Sequence, residues 1–246
     1  MDTLTIGSRK IGTDQPSFVI AEAGSNHNRD LDTALRLIDA AAAAGVDTVK
    51  FQIFRAESLY SRYTPRLSEM EGRSEPGETP FELIRRFELP REWLPQLAAQ
   101  ARKNGIFFTA SPFDLEAVKL MEQIDVPFYK VASYEIVDVL LLRAIAETGK
   151  PAIVSTGNSS LADIEAALKV FADCGNDQVA LLHCVSQYPT RYGDLNLRCI
   201  PTMQRAFRRV VGFSDRRFAF TRLRGFTING TSPNCIRFFM GSPDGG

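Results

Sequence analysis

Between residues 17 and 215 the chain alternates between two textures. Short runs of β-branched and aromatic residues are each followed by stretches whose apolar residues recur every three or four positions, the signatures of a strand and of an amphipathic helix. The runs are SFVIAEAG (17–24), TVKFQI (48–53), IFFTASPF (106–113), FYKVAS (128–133), PAIVST (151–156), VALLHCVS (179–186) and VVGFSD (210–215). The first, fifth and sixth are apolar nearly throughout, as in strands covered on both faces. After the first, DLDTALRLIDAAAAAG puts Leu31, Ala34, Leu35, Ile38 and Ala42 on one helical face, and Gly45 supplies the stop. After the fifth, Ser160 precedes LADIEAALKVFADCG, with Asp163 at capping-box spacing and Gly175 as the stop. Such alternation predicts parallel βα units with right-handed crossovers. Seven strands in this rhythm favour an α/β chain of the TIM (β/α)8-barrel type over an open doubly wound sheet. No G-x-G-x-x-G follows the first strand to suggest a dinucleotide fold.

Two segments break the rhythm. Residues 55–90, RAESLYSRYTPRLSEMEGRSEPGETPFELIRRFELP, form a polar excursion at the C-terminal end of a strand. Barrel enzymes bind substrate at that end, so the segment reads as a lid or, equally, as a solvated insertion. From Arg216 onward no amphipathic helix or βα unit is legible, and the 31 residues hold five Arg, no Lys and a single Asp. The expected organisation is therefore a barrel over 1–215 and an atypical tail over 216–246. The barrel would be incomplete, with the eighth βα unit missing and exposed edges beside the first and seventh strands. So abrupt a change suggests a reading-frame shift near codon 216 or a remodelled end.

Composition narrows the function classes. The 246 residues carry 29 basic and 29 acidic side chains, a formal net charge of 0, with 44% hydrophobic residues. That balance suits a soluble globular protein and gives no overall drive toward nucleic acid or an acidic membrane. No apolar run approaches the roughly 18 residues of a membrane span. The segment MDTLTIGSRK lacks the apolar core of a signal peptide, which sets the expectation of a cytoplasmic protein. Four cysteines without a C-x-x-C pair read as reduced thiols, Cys184 as a core residue.

The strand ends carry polar residues that do not belong in a core. Glu22 ends the first strand; Lys50 and Gln52 lie in the second; Thr109 and Ser111 end the third. Lys130 and Ser133 stand in the fourth with Glu135 just beyond, followed by Ser155 and Thr156, Ser186, and Ser214 with Asp215. In a barrel all of these ends converge on one mouth. A lysine inside VKFQ or YKVAS is costly to bury unless something anionic pairs with it. Two such lysines beside a ring of hydroxyls predict a site for a small, multiply charged anion such as phosphate or carboxylate. A bland alternative exists for each residue: a strand-end Ser or Thr can cap the next helix, and Lys50–Glu22 and Lys130–Glu135 can be structural pairs. His27 in GSNHN fits either a capping or a functional role, and His183 inside LLHC reads as a satisfied interior histidine.

IAEAGSNHN, DTVKFQ, FTASPFD, YKVASYE, IVSTGNSS, LLHCVSQYPT and VGFSD resemble, in order and spacing, the sialic acid synthase family over residues 15–215. Its members include N-acetylneuraminate synthases and their legionaminate, pseudaminate and spore-coat polysaccharide relatives. The resemblance implies condensation of phosphoenolpyruvate with an N-acylated amino sugar, such as N-acetylmannosamine, to a nine-carbon 2-keto acid with release of phosphate. It implies a barrel followed by a small antifreeze-like domain and a homodimer, with phosphoenolpyruvate and the sugar as partners and neither nucleic acid nor membrane. By position, Lys50, Ser111, Lys130, Ser133, Ser155 and Ser214 would hold phosphoenolpyruvate. Glu22, Gln52 and Tyr188 would lie near the sugar, and Glu135 would move protons; Glu22, Glu135, Lys50 and Lys130 form the expected catalytic set. Ser186 occupies a position that is Asn in some neuraminate synthases, and would contact substrate. The resemblance also implies a divalent metal, Mn2+ or Mg2+, but the His expected after the Ser-Asp of the seventh strand is Arg216 here, and the second His, in an eighth strand, is absent. The competing expectations are a catalytically inactive truncated barrel that retains only anion binding, and a Schiff-base aldolase acting through Lys130.

Overall fold

The computed structural model describes residues 3–12, 15–66, 77–187, 190–214 and 237–240. The chain opens with an antiparallel hairpin of β1 (Thr3–Ile6) and β2 (Arg9–Gly12), with Thr3 opposite Gly12 and Ile6 opposite Arg9. The βα rhythm follows: β3 (Val19–Gly24), α1 (Leu31–Ala43) and β4 (Thr48–Ile53). Two short helices, α2 (Ala56–Leu59) and α3 (Pro80–Arg86), occupy the described ends of the excursion before α4 (Leu94–Lys103). Next come β5 (Phe107–Pro112), α5 (Leu115–Gln123), β6 (Tyr129–Val131), α6 (Val139–Ala146) and β7 (Ala152–Ser155). The last units are α7 (Leu161–Asp173), β8 (Val179–Cys184), α8 (Cys199–Phe207), β9 (Val211–Ser214) and β10 (Arg237–Met240). Each of the seven strands expected from the sequence forms within two residues of its expected ends.

Capping explains several boundaries. Asp30 accepts from the Thr33 amide to start α1, and the reciprocal Ser160–Asp163 box starts α7 as its spacing predicted. A second box, Thr79 with Glu82, starts α3 inside the excursion. That segment is also tied down by the Ala56 amide donating to Glu88 Oε1 at 2.7 Å and by the Arg62 guanidinium over the Phe81 ring.

The eight strands β3–β10 lie in the order β5-β4-β3-β10-β9-β8-β7-β6, and every registered pair is parallel. At the two ends of that order, β5 and β6 meet, where the Thr109 hydroxyl donates to the Phe128 carbonyl at 2.7 Å. This is a TIM-type barrel. Its eighth place differs from the sequence expectation of a vacancy: β10 fills it, with Arg237 opposite Val19 on one side and Phe213 on the other. The physical reason is the pair of unpaired parallel edges that seven strands would leave, whose backbone groups four extended residues satisfy. The remaining tail residues lie outside the described set.

Alternation along each strand divides the interior from the helical layer. Val49, Phe51 and Ile53 point outward into one apolar cluster with Ile38, Leu97 and Ala101, while Lys50 and Gln52 point inward. Inside, a separate cluster of Ile20, Phe128, Ile153, Ala180, Leu182 and Val210 meets Leu4, Ile6 and Ile11 of the hairpin. The hairpin thus plugs the N-terminal floor of the barrel, leaving polar side chains at the opposite mouth. Among the described residues no helix is long and apolar enough to cross a membrane.

Candidate functional site

Above the apolar floor the inward side chains form two clusters. On β3, β4 and β5, Lys50 Nζ lies 2.7 Å from Glu22 Oε2 and donates to Ser111 Oγ at 3.2 Å, while Gln52 Nε2 donates to Glu22 Oε1 at 3.0 Å. Lys50 is 2% exposed and Glu22 4%, so the ion pair that the sequence offered as the bland alternative does form. Burial pushes the Glu22 carboxyl above its ordinary value, and the Lys50 charge pulls it only partly back.

On β6, β7 and β8, Lys130 Nζ donates to Ser155 Oγ at 2.6 Å and to the Val131 carbonyl. Ser133 Oγ lies 3.2 Å from Cys184 Sγ, and Ser214 on β9 stands opposite Cys184 in the strand register. Lys130, Ser133, Ser155 and Ser214 are all buried. Glu135 follows Ser133 in the short 3-10 helix Tyr134–Val137. Burial raises its carboxyl, the Lys130 charge works against that, and its Oε2 is buried without a hydrogen-bond partner. Ser186 Oγ is likewise buried without a partner. Tyr188 and Arg216 lie outside the described residues.

Two features escaped the sequence reading. Cys184, read as core, is buried but faces the mouth beside Ser133. Gly157, in the turn after β7, is also at the centre: a Cβ built there would meet Ser186 Oγ at 2.7 Å, and Cys184 Sγ and Ser133 Oγ at 2.9 Å each. A glycine after a strand-ending Ser-Thr gives no sequence signal beyond a turn.

The histidines stand apart from these clusters. His27 is fully buried between Phe51 and Trp93, with Nδ1 accepting from the Arg29 amide and a pKa lowered to about 4 by burial. His183 contacts the Leu195 carbonyl through Nε2 at 2.7 Å and stacks on Phe213, as an interior histidine does. Among the described residues no three His, Cys, Asp or Glu side chains come together as metal ligands. The described donors therefore do not fit a resident divalent ion.

A family model described as the NeuB family matches residues 37–224. The chain is 36% identical over 201 residues to N,N'-diacetyllegionaminic acid synthase of Campylobacter jejuni, a match covering 81% of this chain and 60% of that protein. It is 34% identical over 258 residues to the spore coat polysaccharide biosynthesis protein SpsE of Bacillus subtilis, covering 99% of this chain and 68% of the relative. Among solved structures, the N-acetylneuraminic acid synthetase of Leptospira borgpetersenii, in complex with citrate, superposes with a TM-score of 0.81 at 32% identity. That match covers 98% of this chain and 79% of the other. The chain thus spans about three fifths of the legionaminic acid synthase it matches. The family model runs through Lys50, Lys130 and the strand-end hydroxyls from Ser111 to Ser214 and matches most of the chain: the chain belongs to the NeuB family.

Proposed function

We propose that this barrel condenses phosphoenolpyruvate with an N-acylated amino sugar of the N-acetylmannosamine type, giving a 2-keto sugar acid and inorganic phosphate. The observation that carries the reading is the pair of buried lysines, Lys50 and Lys130, set among inward hydroxyls at one end of a barrel whose other end is plugged. A lysine in such a place favours a small anion over an apolar ligand. Lys50, Ser111, Lys130, Ser133, Ser155, Ser186 and Ser214 would hold the phosphate and carboxylate; Glu22, Gln52 and Tyr188 would face the sugar.

In this reading the enol carbon of phosphoenolpyruvate attacks the sugar aldehyde, and the new alkoxide takes up a proton. Water then adds at C2, and the C2–O bond to phosphate breaks to leave the ketone. Glu135 suits the proton transfers because burial keeps its carboxyl protonated to higher pH than usual, so that it can donate before it accepts. A homodimer and a cytoplasmic setting belong to the same proposal.

The test is phosphate release from phosphoenolpyruvate with N-acetylmannosamine and Mn2+ present together. Release that requires both substrates, and falls at least 100-fold in Glu135→Gln, is expected; release independent of the sugar would overturn the reading. A second reading, anion binding without turnover, is favoured by Arg216 standing where the resemblance puts a histidine. It predicts phosphoenolpyruvate binding with no release.

A further inference from the structure

Among the described residues eight glycines adopt a positive φ, as at Gly45 and Gly175, where the helices α1 and α7 end; Gly157 is not among them. Its backbone would accept any small side chain, so conformation does not explain the glycine. Space does. A Cβ at 157 would sit 2.7–2.9 Å from the ends of Ser186, Cys184 and Ser133, three side chains from two different strand ends. At such distances the neighbours must turn away, since real Cβ contacts do not come so close.

The half of the mouth around Gly157 is also the half richest in hydroxyls. Ser133, Ser155, Ser186 and Ser214 are gathered there with Lys130, whereas Lys50 across the mouth is held by Glu22 at 2.7 Å. Ser186 Oγ, buried without a partner, is a polar group waiting for one. An anionic oxygen accepting from it would satisfy that hydroxyl and gain a charge-assisted hydrogen bond.

We propose that Gly157 is a positioning residue: by leaving out a side chain it keeps Ser133, Cys184 and Ser186 converged, and so shapes the subsite that takes the phosphoryl group of the substrate. This rests on the anion-binding part of the function proposed above, but not on turnover.

The test compares wild type with Gly157→Ala, titrating inorganic phosphate and, separately, pyruvate by calorimetry, and recording thermal unfolding of each protein. The expected result is a loss of phosphate affinity of at least tenfold, pyruvate affinity within threefold, and a midpoint shifted by only a few degrees. A folded Gly157→Ala protein with unchanged phosphate affinity would overturn the proposal, and so would a greater loss for pyruvate than for phosphate. Should Gly157→Ala unfold, the double variant Gly157→Ala/Cys184→Ala removes one of the three close approaches. Read against Cys184→Ala alone, it should fold and still bind phosphate more weakly; equal affinity would count against the role of Gly157. Failure of wild type to bind phosphate at all would also overturn it. Phosphate binding without sugar-dependent turnover would sink the synthase reading alone and leave Gly157 its role.

Discussion

Glu135 illustrates how burial sets the behaviour of one carboxyl. Its ordinary pKa of 4.5 is raised mainly by loss of water, and Lys130 offsets this only in part. The folded protein therefore keeps a proton that the unfolded chain releases near pH 4.5. Stability present below that pH is lost as the pH climbs through the raised value, by at most about 1.4 kcal/mol for each unit spanned. Glu22 has the same sign, with its loss restrained by the Lys50 ion pair. Urea midpoints measured from pH 4 to 8 should thus fall with pH in wild type and fall less steeply in Glu135→Gln. Equal slopes would show that Glu135 does not titrate as a buried acid. Lys50 and Lys130 were legible from the chain alone, because a lysine between β-branched and aromatic neighbours has few cheap places to go. The convergence on Gly157 was not, because it brings together residues 133, 184 and 186 that only the closed barrel makes neighbours.

At the level of elements, the hairpin β1–β2 depends on three side chains, Leu4, Ile6 and Ile11, of which Ile6 is wholly buried against the barrel floor. Replacing Ile6 by Ala should destabilise the protein by about 2–5 kcal/mol through lost burial and the cavity left behind. Chemical denaturation measures this, and a change below about 1 kcal/mol would mean that the floor repacks without it. The hairpin was invisible in the sequence for a physical reason. TLTI and RKIG are four residues each, half of them solvent-facing, and they stand outside the βα rhythm that exposed the seven inner strands. Those strands were readable from their β-branched and aromatic runs, and the first, fifth and sixth, covered on both faces, are apolar nearly throughout. Strand β10 was hidden differently: no recognisable helix precedes RFFM, so nothing in the pattern marks it as the eighth member of the ring.

For the whole molecule, the ring depends on where β10 enters. It pairs with β3 on one side and β9 on the other, and so joins the first barrel strand to the seventh. Removing residues 237–246 should leave both neighbours with a free edge. Amide exchange over Val19–Gly24 and Val211–Ser214 should then quicken at least tenfold, with increased light scattering from edge-to-edge association. Unchanged protection would show that the ring holds without this strand.

The same topology sets an order of events at the ribosome. Seven barrel strands emerge by residue 214, but the one that links the last of them to the first ends at residue 240. At roughly 5–20 residues per second, the nascent barrel waits about 1–5 s with two parallel edges bare. During that interval it offers a template to any other extended chain nearby. Yield in the cell should therefore depend on chaperone capacity and translation speed over this short stretch as much as on the stability of the finished barrel.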